Sequence, residues 1–145
     1  MPNLKLTITT PERIIFDDTI DQISLPTTTG EITVLPHHIP LISLLQPGEA
    51  RIIKGAEEIV MAVSGGFIEV QPQHVTVLAD TAERGEEIDE DRAETARKKA
   101  EQLLLEKKAD SVDYAALQVK LEKEMARLRV VRRHRYRRGG SSPIS

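Results

Sequence analysis

A change of texture near residue 80 limits this chain more than any other feature. Before it, apolar residues recur in short runs with a period of two. After it they recur at spacings of three and four, and no Gly or Pro interrupts residues 89–108. A period of two buries one face of a strand, whereas spacings of three and four bury one stripe of a helix. The chain therefore builds a β unit first and a helical unit second. In the β part, Leu4, Leu6 and Ile8 alternate with Lys5, Thr7 and Thr9. Further runs follow at 13–16, 22–25, 31–35, 41–45, 51–54, 58–63, 67–70 and 75–79. Turn-forming residues separate them, at Asp17-Asp18, 26–30, 36–40, Pro47-Gly48, Gly55, Ser64-Gly65-Gly66 and Gln71-Pro72. Many short, closely punctuated strands predict a sandwich or barrel, not a parallel sheet with crossover helices.

In the helical part, Ala93, Ala96, Ala100, Leu103 and Leu104 form one stripe. Glu86, Glu87, Asp89, Glu90 and Asp91 crowd its start, where they suit the positive end of the helix dipole, and Lys107 and Lys108 are expected in its last turn. The polar break Ala109-Asp110-Ser111 offers a turn, with Ser111 or Asp113 as cap for a second helix striped by Tyr114, Leu117, Leu121, Met125 and Leu128. Such a short connection implies an antiparallel helical hairpin with little core of its own, hence the mobile part of the molecule. The expected division is a β-sandwich over 1–84, a hairpin over 85–138 and a flexible tail over 139–145.

Of the 145 residues, 39% are apolar and 30% charged, the proportions of an ordinary globular chain. No Cys is present, which excludes a disulfide framework, a thiolate metal site and a cysteine nucleophile, and suits a reducing cytoplasm. The start carries no basic region leading into an apolar run, and no stretch approaches the about 18 apolar residues of a membrane span. Any attachment to a bilayer is therefore expected through a partner. Charge is segregated: residues 1–84 carry 5 Lys and Arg against 11 Asp and Glu, whereas 127–145 carry seven Arg and no acid.

Catalytic groups do not converge. Gly65-Gly66 is not followed by Lys-Ser/Thr and a helix, so it reads as a bend needing positive φ and not as a phosphate loop. His37 and His38 adjoin in a Pro-bounded loop and read as unliganded, His74 has no apparent Ser or acid partner, and His134 lies among arginines. No metal site and no catalytic residue is expected. The cluster Arg127, Arg129, Arg132, Arg133, Arg135, Arg137 and Arg138 is open to three readings: a solvated helix end, a dock for an acidic protein surface, or a nucleic-acid contact. The acidic body, and Tyr136 as the cluster's single stacking aromatic, argue against the last.

The stretch Gly30-Glu31-Ile32-Thr33-Val34-Leu35-Pro36-His37-His38-Ile39-Pro40-Leu41 resembles the signature loop of the ε subunits of F-type ATP synthases of bacteria. Val63-Ser64-Gly65-Gly66-Phe67-Ile68-Glu69-Val70 resembles that family's second hallmark, and the likeness extends over 1–130. The resemblance implies a ten-stranded β-sandwich followed by a two-helix hairpin. It further implies a non-catalytic rotor subunit bound to the γ subunit and the c-subunit ring, peripheral to the cytoplasmic face of the cell membrane. Its hairpin would extend among the α and β catalytic subunits and inhibit ATP hydrolysis. The other reading of the residues is a small β-sandwich adaptor whose basic tail binds nucleic acid.

The same resemblance suggests a regulatory ligand. Ile88-Asp89-Glu90-Asp91-Arg92-Ala93 resembles the Ile/Leu-Asp-x-x-Arg-Ala motif of ε subunits that bind ATP without hydrolysing it. Glu83 matches an acidic position of that site, and Lys99, Lys123 and Arg127 match basic ones, two of them Lys where Arg is familiar. On a helix Asp89, Arg92 and Ala93 share one face, so the carboxylate could accept from an adenine amine, Ala93 leave room for the ring and Arg92 reach phosphate. Equally, Asp89 could simply cap the helix while Arg92 pairs with a nearby acid.

Overall fold

The computed structural model describes residues 3–107 and 112–138, with side chains through residue 135. Lys108, the turn at Ala109-Asp110-Ser111 with its Ser111 cap, the side chains of Tyr136, Arg137 and Arg138, and the tail 139–145 lie outside the described residues.

Eight strands come first: β1 (Leu4–Thr9), β2 (Ile14–Ile20), β3 (Gln22–Thr27), β4 (Gly30–Val34), β5 (Leu41–Leu44), β6 (Gly48–Lys54), β7 (Glu57–Gln71) and β8 (His74–Arg84). They hydrogen-bond in the order β2-β1-β8-β7-β6-β3-β4, with β5 paired to β7. All pairs are antiparallel except β1 with β8. The inward residues of β1 (Leu4, Leu6, Ile8), β3 (Ile23, Leu25), β6 (Ala50, Ile52), β7 (Met61, Ile68) and β8 (Val75, Val77) form one buried cluster. Strands far apart in the ladder share that core, so the sheet doubles over into a sandwich.

The doubling happens in β7 and β8. The first half of β7 pairs with β6 and the second with β5, and β8 follows both halves, so each long strand serves both layers. Counted by layer, eight strands supply the ten expected. The bend falls at Gly65 and Gly66, with φ of 71° and 95°. A Cβ on Gly66 would lie 1.8 Å from the carbonyl oxygen of Leu78, so β7 passes this point only without a side chain. The expected break between two strands is thus a kink within one.

Two further expectations change. Asp17 and Asp18 form no turn but lie in β2, an outermost strand where solvent-facing charge is tolerated and discourages edge pairing. Pro26 lies inside β3, which pairs with β6 only over residues 22–24, so its missing N–H breaks no bond on that side.

A 3₁₀ turn, Gly85–Glu87, leads into α1 (Glu90–Leu105), and α2 (Val112–Arg138) follows. Because α1 stops at Leu105, Lys107 lies beyond it, with Nζ 3.7 Å from Asp113 Oδ2 across the connection. Asp113 itself belongs to the first turn of α2. Ala93 and Ala100 are buried, while Ala96, Leu103 and Leu104 are half-buried. On α2, Tyr114, Leu117 and Leu121 are half-buried, but Met125 is 42% exposed and Glu124 is only 5% exposed. Either residue continues the spacing from Leu121. Position 124 wins because the second half of α2 lies against both α1 and the sheet, burying Leu128, Val130 and Val131 with Ala62, Ile88 and Ala93.

Among the described residues, none beyond Ala82 enters the sandwich core. A fragment of residues 1–84 is therefore expected to melt cooperatively, at a lower temperature than the full chain because Val60 and Ala62 lose their cover. A non-cooperative, aggregating fragment in calorimetry or circular dichroism would show that the hairpin completes the fold.

Candidate functional site

The candidate site lies where the end of β8, the start of α1 and the second half of α2 meet. Pairing of Ala62 with Glu83 places Glu83 at the end of β8. The chain then turns tightly: the Arg84 backbone N–H donates to Glu87 Oε1 at 2.9 Å, and Arg13 Nη2 donates to Glu87 Oε2 at 3.0 Å. The Arg84 amide chiefly, with Arg13, holds the Glu87 carboxyl below its ordinary range against the opposing effect of burial. Gly85 packs against α2 so closely that a Cβ there would lie 2.6 Å from His134 Cβ. Asp89 is the N-cap of α1, its Oδ1 accepting from the Arg92 backbone N–H at 3.1 Å.

Arg127 joins the two parts of the molecule. Its Nε lies 2.7 Å from Glu83 Oε1, its Nη2 donates to Glu83 Oε2 at 3.2 Å, and its Nη1 donates to Glu124 Oε1 at 2.7 Å. Burial opposes this charge, but the bonds to Glu124 and Glu83 outweigh it and raise the arginine above its usual range. The neighbouring arginines also face acids. Arg132 reaches Glu90 at 2.9 Å and Glu94 at 2.7 Å, and Arg135 reaches Glu90 at 2.5 Å. Arg133 and Arg129 converge on Glu49 of β6, at 2.9 and 3.8 Å, with the Glu49 side chain only 14% exposed. In this docked arrangement the five arginines of the cluster whose side chains are described each face acids of the same chain.

Three adjoining depressions run over the junction. One of about 330 Å³ is lined by Thr10, Arg13, Asp80, Glu83, Lys123 and Arg127 among others. Across Glu83 and Arg127 lies one of about 390 Å³, lined by Glu83, Glu87, Asp89, Arg92, Ala96 and Arg127. Beyond Arg92 and Ala96 lies a third, of about 410 Å³, lined by Asp91, Arg92, Thr95, Ala96, Lys99 and Lys120. Of the eight residues expected around a nucleotide, Glu83, Asp89, Arg92 and Arg127 share the middle depression. Lys99 and Lys123 fall in the two outer ones. Ile88 and Ala93 are buried in packing against α2 and the sheet, whereas Ala96 lines the middle depression. Asp89 does cap the helix, whereas Arg92 makes no ion pair among the described residues, and among them no group of three His, Cys, Asp or Glu side chains could hold a metal.

Two family descriptions fit these two structural units. Residues 3–85 match the ATP synthase, Delta/Epsilon chain, beta-sandwich domain, and residues 86–132 match the same chain's long alpha-helix domain. The chain belongs to the ATP synthase delta/epsilon family. It is 50% identical over 135 residues to an ATP synthase epsilon chain of Chloroflexus aggregans, covering 93% of this chain and 96% of that one. With the ATP synthase epsilon chain of Halalkalibacterium halodurans it shares 38% over 133 residues, 92% of this chain and all of the other. The fold recurs in a chain of a cryo-EM structure of Euglena gracilis mitochondrial ATP synthase (OSCP/F1/c-ring), with TM-score 0.74 and 24% identity over 87% of this chain and 79% of that one. It recurs more loosely in the central stalk/c-ring structure from Tetrahymena thermophila, at TM-score 0.52 and 15% identity, covering 91% and 96%.

Sequence reasoning missed Glu49 and Glu124. Glu124 had a local signal, lying three residues before Arg127 and within the spacing of Leu121 and Leu128. Glu49 had none, since its arginines are some 80 residues away in the chain and only docking brings them together.

The lowered carboxyl of Glu87 sets an acid dependence. A carboxylate held below its unfolded value contributes stability above about pH 4.3 and loses it as pH falls through the folded value. Glu87→Gln is expected to cost of order 1 kcal/mol or less at pH 7, because the site is partly exposed, and to flatten the fall of melting temperature below about pH 4.3. Thermal melts across pH 2–7, with variant and parent falling in parallel, would contradict this.

Proposed function

We propose that this chain is a non-catalytic subunit of the central rotor of a bacterial F-type ATP synthase, at the cytoplasmic face of the membrane, and that its hairpin regulates ATP hydrolysis. The carrying observation is the docked hairpin, joined to the sandwich by Arg127 to Glu83 and by Arg129 and Arg133 to Glu49. Ion pairs along a modest apolar seam make a reversible attachment, because undocking replaces them with water and new partners at small net cost. Released, the hairpin would carry an unneutralised arginine cluster suited to acidic surfaces of the α and β subunits. The nucleic-acid reading loses support, since Arg127, Arg129, Arg132, Arg133 and Arg135 all face acids when docked.

The sandwich carries a surface suited to a rotor partner. Leu44, Phe67, Leu78, Thr9 and Ile14 lie in one row across β5, β7, β8, β1 and β2 by strand register. Ile14, Leu44, Phe67 and Leu78 are exposed, and an apolar row of this extent suits protein docking to γ or the c ring. Co-purification with γ tests the rotor reading: loss of γ on changing Phe67→Ser and Leu44→Ser is expected, and a chain that never retains γ would refute it. For regulation, neutralising Arg129, Arg132 and Arg133 together is expected to raise ATP hydrolysis by the reconstituted complex about twofold or more, with added salt acting the same way. Unchanged hydrolysis would leave these arginines a docking role alone.

ATP is the proposed regulatory ligand of the docked form, held by both helices and the end of β8 and so favouring docking by mass action. Calorimetric titration of the isolated chain should show ATP binding that Asp89→Ala and Arg92→Ala each weaken about tenfold. Binding indifferent to both changes would rule this site out.

A further inference from the structure

We infer that one close contact, Gly85 of the linker against α2 at His134, decides whether the hairpin docks, and that the 3₁₀ turn Gly85–Glu87 is a fixed seat for α2. This rests on the reading of the hairpin as a part that docks and is released, and it names the place where that equilibrium is set.

The seat belongs to the sandwich. Arg84, the residue before it, pairs with Met61 in the β7–β8 ladder. Glu87, its last residue, accepts from Arg13 Nη2 at 3.0 Å and from the Arg84 backbone N–H at 2.9 Å. The turn therefore has little freedom to retreat from what packs on it, which is α2. The three atoms nearest to a Cβ built on Gly85 are His134 Cβ at 2.6 Å, His134 Cγ at 3.0 Å and the Val130 carbonyl oxygen at 3.4 Å. The closest of them is also the least adjustable, because a Cβ is fixed to the helix backbone and no rotamer change moves it.

Two carbons 2.6 Å apart stand roughly 1 Å inside their optimal separation, so with a side chain at residue 85 the helix would have to back away. A retreat of that size forfeits about a quarter to a half of the dispersion attraction of the atoms concerned, here Leu128, Val130 and Val131 against Ala62 and Ile88. It also stretches the ion pairs from Arg127 to Glu83 and from Arg133 to Glu49, which stand at 2.7 and 2.9 Å. No bond at the contact compensates, since His134 Nε2 is buried without a hydrogen-bond partner among the described residues. The contact is one of shape. Away from α2 the same position is permissive: Gly85 is not among the glycines with positive φ, and the sandwich core takes in no described residue beyond Ala82. Alanine at residue 85 thus suits the sandwich and the released hairpin, and conflicts with the docked form alone.

The chain has no Cys, so spin labels can be attached to Gln71→Cys, at an exposed position of β7, and Gln102→Cys, at an exposed position of α1. Pulsed dipolar spectroscopy of the full chain then reads the separation of sandwich and hairpin, and the parent is expected to show one dominant, docked separation. Gly85→Ala is expected to lower the ratio of docked to released hairpin about tenfold or more, the effect of overpacking a close contact. Combining Gly85→Ala with His134→Gly removes the opposing Cβ and is expected to restore that ratio to within about threefold of His134→Gly alone. A ratio unmoved by Gly85→Ala would overturn the inference. So would a loss that His134→Gly does not repair, because the loss would then not come from this contact. A parent without a dominant docked separation would overturn both the inference and the reading of the hairpin on which it rests. Release by Gly85→Ala with repair by His134→Gly, but with ATP hydrolysis by the reconstituted complex unchanged, would uphold the contact and remove the regulatory reading.

Discussion

Arg127 is the interaction on which the arrangement of the two units depends. It is a partly buried guanidinium held between the last residues of the sandwich and a buried carboxylate of its own helix. The net contribution of such a pair is small, because desolvation cancels most of the attraction, but its failure is costly. Removing one partner of a fully buried pair costs about 3–5 kcal/mol, and less at this partly wetted site. Losing Arg127 would leave Glu124 buried without its cation. The pair therefore acts more on position than on stability, fixing where α2 lies along β8 and thereby where Arg132, Arg133 and Arg135 find Glu90, Glu94 and Glu49.

Around this tie the apolar contact is modest. The seam between hairpin and sheet consists of Ala62, Ile88, Ala93, Leu128, Val130 and Val131, which apart from Leu128 are small or β-branched side chains that allow close approach but bury little area each. Gly85 serves the same end, admitting His134 where any side chain would collide. Close packing with little buried area, supplemented by ion pairs at its rim, differs from the continuous core of the sandwich. A junction of this kind holds one geometry well yet opens at a cost far below that of unfolding the strands. That difference is the physical basis for reading the sandwich as the fixed body and the hairpin as the responsive part.

The same junction explains why acids and arginines are so unevenly distributed along the chain. Segregated charge would strain a protein whose ends stayed apart. Here docking brings the arginines of α2 onto Glu49, Glu83, Glu90 and Glu94, so charge separated in sequence is neutralised in space. Glu90 and Asp91 of α1 also sit at its positive end, where Asp89 caps the helix.

Much was legible in the order of residues because it rests on local physics. Alternation marked β1, short runs marked the two halves of β7 and the first half of β8, helical spacing marked α1 and α2, and Gly65-Gly66 announced a backbone that only glycine adopts. The cap at Asp89 and the family's two hallmark stretches could likewise be read from neighbours in the chain. Tertiary structure alone decided the rest. It made one kinked strand of two expected ones, since continuity depends on β8 following β7 through the bend. It chose Glu124 over Met125 for the buried stripe, because both lie about one turn beyond Leu121 and only the sheet beneath α2 distinguishes them. It packed Ile88 and Ala93 against α2 and the sheet and placed Lys99 and Lys123 in two different depressions. Periodicity says which face of an element is apolar, whereas the partner that covers that face, and the charges it brings, is set by residues far away in the chain.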